Sequence, residues 1–115
     1  KQRLESAIKA TGLQAGTLEE VSASAGIRID LARKLYNLLN VENRVVRVGD
    51  MVFHSESLSD LKERVRGRKN TNSKMDVATF KEVTGGLTRK HAIPLLEYLD
   101  RERITRRVGN EREIL

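Results

Sequence analysis

The chain has 115 residues, 38% of them hydrophobic, with two Tyr, two Phe and no Trp, so aliphatic side chains must fill one small domain or two thin-cored ones. Cysteine is absent, which excludes disulfides and thiolate metal sites; no apolar run nears a membrane helix and KQRLESAIKA lacks a signal-peptide layout, so a soluble, cytoplasmic protein is expected. The formal charge of +6 and pI near 10.0 point to a polyanionic partner, and residues 1–55 carry 8 basic and 6 acidic residues against 14 and 10 in residues 56–115.

In chain order, Leu4, Ala7 and Ile8 fall on one face of an opening helix. Thr17 and Glu20 form a T-x-x-E capping box for a second helix, which Gly26 closes. A third helix is predicted over about 29–40, with Leu31, Ala32, Leu35, Leu38 and Leu39 as its buried stripe. VVRVGDMVFH then alternates around a Gly-Asp pair, the signature of a II′ hairpin. Leu58, Leu61 and Val65 begin the cycle again. Thr79 with Glu82 repeats the capping box, Asp76 being a competing cap, and Gly86 repeats the closing glycine. GRKNTNSK, residues 67–74, reads as a loop into a short third strand. The next helix, about 89–100, buries Ala92, Leu95, Leu96 and Leu99 but contains Pro94, for which a kink, a delayed start or simple tolerance is expected. ITRRVGNEREIL is the second hairpin.

The recurrence is an internal repeat at an offset of 60 to 62 residues: TLEEV pairs with TFKEV and RVGD with RVGN, with Gly26/Gly86, Leu35/Leu95, Leu39/Leu99 and Glu42/Glu102 in order between them. Three helices plus a two-stranded wing, made twice, predict an α+β, mainly helical fold of two tandem winged-helix domains, residues 1–55 and 56–115, joined near residues 54–58. The chain has no initiator Met and opens in helical periodicity, which suggests a segment of something longer.

Charge gathers in the second copy. Arg89 and Lys90 open its third helix and Arg106, Arg107 and Arg112 lie on its wing, an arrangement suited to phosphate because a helix N-terminus adds unpaired amides and a positive dipole end. The bland alternative is a solvated surface in which Glu97, Asp100, Glu102, Glu111 and Glu113 pair with these arginines, Arg101 and Arg103 above all. The first copy has Ile29 and Asp30, and Met51 and Val52, at the corresponding places, which favours a scaffold or spacer. His54 and His91 fall in different copies, no phosphate-binding loop motif occurs, and no catalytic or metal site is expected.

GGLTRKHAIPLLEYLDRERITRRVGNEREIL closely resembles the C-terminal winged-helix domain of the bacterial selenocysteine-specific elongation factor family, specifically from about Val77 to Leu115. The resemblance rests on Leu-Thr-Arg-Lys at the helix start, Ile-Pro-Leu-Leu-Glu-Tyr-Leu-Asp in its body and Thr-Arg-Arg-Val-Gly-Asn on the wing. It implies the third and fourth winged helices of a translation factor whose GTPase body, with its GTP and magnesium, lies elsewhere and carries selenocysteinyl-tRNA to the ribosome. No cofactor is expected in these residues. The implied partner is the mRNA stem-loop known as the selenocysteine insertion sequence (SECIS), near a UGA codon. The implied RNA-binding residues are Thr88, Arg89, Lys90, Arg106, Arg107 and Arg112, with His91 where an aromatic or similar side chain would be expected; a monomer is anticipated. Physics agrees, since the A-form major groove excludes a helix and a small domain must clamp phosphates and read an unpaired base. The alternatives are a tandem winged-helix DNA regulator, and a protein-interaction module using an apolar Ile27, Ile29, Met51, Val52 surface.

Overall fold

The computed structural model describes every residue from Lys1 to Leu115. The chain divides into two compact units, Lys1–Leu58 and Ser59–Leu115. In the first, α1 (Gln2–Thr11), α2 (Leu18–Ala25) and α3 (Ile29–Val41) precede an antiparallel hairpin of β1 (Val45–Val48) and β2 (Met51–His54). The capping box at α2 is formed: the Glu20 amide donates to the Thr17 hydroxyl at 3.2 Å and the Thr17 amide to the Glu20 carboxylate at 3.4 Å. Gly26, at φ 70°, ends the helix as the sequence predicts.

The buried face of α3 differs from the expected stripe. Ala32, Tyr36 and Leu39 are buried, while Leu31 and Leu38 are 51% and 53% exposed. Both rows have helical spacing, so periodicity alone does not choose between them. Tyr36 decides the matter by filling a core made with Leu4, Ile8, Val21, Leu39, Val45 and Val52. The hairpin pairs Val45 with His54 and Val48 with Met51. Gly49 has positive φ and Asp50 does not, as a II′ turn requires.

All four residues of β2 are buried. The outer edge of the strand is closed where the Val52 amide donates to the Gly16 carbonyl at 3.0 Å. Met51 and Val52 are therefore core residues, and the apolar surface expected to include them does not exist. At the end of β2, buried His54 accepts from the Glu56 amide at Nδ1, so its proton sits on Nε2, 3.0 Å from Glu5 Oε2. Arg44 Nη1 reaches the same oxygen at 3.1 Å.

α4 (Ser55–Arg68) follows β2 directly, burying Leu58, Leu61 and Val65; β3 (Lys74–Met75), α5 (Val77–Val83), α6 (Arg89–Arg101), β4 (Thr105–Val108) and β5 (Glu111–Ile114) complete the second unit. Gly67 and Arg68 belong to the helix, so the polar loop is shorter than the sequence suggests. The strands form an antiparallel sheet of order β3-β5-β4. Asp76, not Thr79, caps α5, its carboxylate accepting the Thr79 amide at 2.7 Å. Thr84 is the C-cap of α5, and Gly85 and Gly86 carry the turn at φ 84° and 98°. α6 begins at Arg89 and continues through Pro94, so the start is not delayed. The hydrogen bond that Pro94 cannot make would have reached the Lys90 carbonyl, and Lys90 lies in an exposed first turn.

The repeat extends to contacts that the sequence comparison did not use. Lys1 pairs with Glu42 and Lys62 with Glu102, each glutamate being the C-cap of its unit's third helix. Asn43 and Arg103, the residues after those caps, share a left-handed conformation at φ 60° and 59°. Helices followed by a hairpin wing, made twice, give an α+β, mainly helical tandem winged-helix fold. No helix is long and apolar enough to cross a membrane.

Candidate nucleic-acid interface

The start of α6 is built unlike that of α2. Thr88 occupies the N-cap with extended backbone (φ −75°, ψ 162°), but its hydroxyl makes no capping bond. It lies instead 3.2 Å from His91 Nδ1. The Thr88 carbonyl accepts the amides of His91 and Ala92, at 3.1 and 2.9 Å. The amides of Arg89 and Lys90 have no partner in the chain, and both side chains are exposed without an ion pair. Two open amides, the positive end of a 13-residue helix and two cations make an anion-attracting corner.

On the wing, Arg106 and Arg107 are exposed. Arg106 Nη2 contacts Glu113 Oε2 at 2.7 Å, a pair that the side chain, 64% exposed, can exchange for phosphate at little cost. Arg107 Nε donates to the Gly109 carbonyl at 3.2 Å, which orients the guanidinium at the turn.

Arg112 is different. It is 7% exposed, its Nη2 lies 3.3 Å from Asp100 Oδ2, and its Nε is buried without a partner. As the middle strand, β5 is flanked by Met75 of β3 and Arg107 of β4 at this rung, so the side chain is enclosed. Arg112 is thus an internal strut rather than an exposed cation like Arg106 and Arg107. Asp100 also accepts from the Thr105 hydroxyl at 2.7 Å, so one carboxylate at the end of α6 holds the first strand of the wing and the second. Sequence reading missed that role, because an Asp beside Arg101 looks like half of a local pair. Arg101 and Arg103 in fact make no ion pair; Glu102 is engaged instead by Lys62 at 3.0 Å, with Lys62 Nζ 5.3 Å from the Tyr98 ring centroid.

Comparison with known proteins agrees with this architecture. Residues 68–114 match a family model described as elongation factor SelB, winged helix. A selenocysteine-specific elongation factor from Desulfomicrobium baculatum is 32% identical over 112 residues, 96% of this chain. The chain spans only 18% of the length of that relative. The mRNA-binding domain of elongation factor SelB from E. coli, solved in complex with SECIS RNA, has the same fold, with a TM-score of 0.73 over 99% of this chain and 98% of that one at 18% identity. Bacterial selenocysteine-specific elongation factor EF-Sec matches with a TM-score of 0.77 at 30% identity, over 99% of this chain and 18% of its own. By sequence along nearly its whole length, and by fold in both units, the chain is similar to the winged-helix segment of selenocysteine-specific elongation factors.

Proposed function

We propose that this chain is an mRNA-binding part of a selenocysteine-specific elongation factor and grips a SECIS-type hairpin near a UGA codon through its second unit. The observation that carries the reading is the start of α6, where unpaired amides of Arg89 and Lys90 stand beside their own exposed cations. The corresponding start of α3 offers Ile29 and Asp30. Thr88 and His91 shape the corner, and Arg106 and Arg107 supply wing contacts to the backbone. An anion held there gains charge and directed donors together, while a base splayed from the hairpin can stack on a guanidinium plane. The SelB domain of the same fold was solved with SECIS RNA, which supports RNA over duplex DNA as the ligand.

In this reading the segment is non-catalytic and acts as a monomer in the cytoplasm, and the start of α3 serves as scaffold only. GTP, magnesium, selenocysteinyl-tRNA and the ribosome would be engaged by the rest of the parent factor. The test is binding to a bulged mRNA hairpin, a fully paired RNA stem and a DNA duplex, for wild type and for Arg89→Ala with Arg106→Ala. Hairpin-selective binding that the double variant weakens by about tenfold or more is expected from two lost charge-assisted contacts. Equal binding to all three nucleic acids would sink the proposal.

A further inference from the structure

On the first unit, the start of α2, the flank of α3 and the first strand of the wing enclose a cleft of about 380 Å³, lined by Leu18, Glu19, Arg33, Tyr36, Asn37 and Arg47. That is room for one small ligand. Tyr36 is only 9% exposed, and its buried hydroxyl has no hydrogen-bond partner. Burial pushes the phenol above its ordinary pKa, an effect that the charge of Arg47, another cleft residue, partly opposes. Arg47 has no ion-pair partner and the Asn37 side chain no hydrogen bond. Arg33 has only Glu19, at 3.9 Å, with both side chains 62% exposed, a contact too long and too wet to hold it.

The cleft thus collects two guanidinium groups and a carboxamide beside Tyr36, facing one carboxylate. The donors match a phosphodiester, which arginine forks bind in two-pronged fashion, and Asn37 can pair with a base edge. Glu19 disfavours a bare dianion but accepts well from ribose hydroxyls, and the 2′-hydroxyl is the group that marks RNA. We propose that this cleft is a second RNA-contact site, holding one unpaired nucleotide with its phosphate between Arg33 and Arg47 and its ribose toward Glu19. None of these residues belongs to the start of α6 or to the second wing.

The test is NMR titration of the full 115-residue chain with hexauridylate, which forms no hairpin, and separately with inorganic phosphate. Saturable shifts at the Asn37 carboxamide and at Nε of Arg33 and Arg47 are expected with hexauridylate, about tenfold weaker in Arg47→Ala and unchanged in Arg89→Ala. No shift at these positions, or shifts indifferent to Arg47→Ala, would overturn the site. Phosphate binding as tightly as hexauridylate would overturn the assignment to a nucleotide. Failure of the hairpin reading would show separately, at the Arg89 and Lys90 signals.

Discussion

Arg112 and Arg107 face each other across one rung of the second wing, yet one is buried and the other exposed. Strand alternation cannot distinguish them in the sequence, because the difference comes from β3 on the far side of β5, a pairing made by a two-residue strand. Arg112→Ala should therefore cost about 1–3 kcal/mol in urea unfolding, the penalty for leaving the half-buried Asp100 carboxylate without its cation. Arg89→Ala or Lys90→Ala should stay within about 0.5 kcal/mol of wild type while weakening RNA binding, since these side chains hold nothing in the fold. If Arg112→Ala left stability intact and removed only binding, its assignment as a strut would be wrong.

At the level of elements, helices were legible where periodicity and caps agreed, as in α1, α2 and the buried face of α6. They were less so where two signals competed. Asp76 and Thr79 are both acceptable caps, and the chain uses Asp76; Asp76→Ala should cost about 1 kcal/mol in thermal or urea unfolding and Thr79→Ala much less. The Thr79 amide holds the Asp76 carboxyl below its ordinary value. The hydrogen bond from His54, followed by that of Arg44, outweighs burial and does the same for Glu5. A lowered folded-state pKa means stability that is complete above the unfolded carboxylate value and disappears as pH falls through the folded one. Acid should therefore loosen α1 from the end of β2 only below the ordinary carboxylate range. Glu5→Gln should flatten the first unit's acid unfolding curve there, read by amide exchange at Leu4 and Ile8. On α3 the expected stripe holds at Ala32 and Leu39 and fails at Leu31 and Leu38, which form as good a row by spacing; the fit of Tyr36 against both strands separates them.

For the molecule as a whole, net charge pointed to a polyanion, but identity came from the dense resemblance in the second copy. The cleft in the first copy was invisible because Glu19, Arg33, Asn37 and Arg47 are dispersed along the chain, and Tyr36 reads as an ordinary core aromatic. On the proposed interface, the exposed cations Arg89, Lys90, Arg106 and Arg107 would make about four phosphate contacts, and a slope near 0.7 per contact predicts that log affinity for a short hairpin falls by about 3 per decade of salt. A slope near zero in a binding series from low to high salt would contradict this count.

The Asp100 strut also has a genealogy. At the 60-residue offset, Asp100, Thr105 and Arg112 stand where the first copy has Asn40, Val45 and Val52, the two valines being buried in its core. The duplicated ancestor thus left two descendants that fasten the same wing by different chemistry, hydrocarbon in one and hydrogen-bonded charge in the other. Each is a natural replacement part for its sibling. Transplanting the older or younger solution whole, as Asp100→Asn, Thr105→Val and Arg112→Val together, should leave the second unit as stable as before or more so, where the single Arg112→Val change damages it.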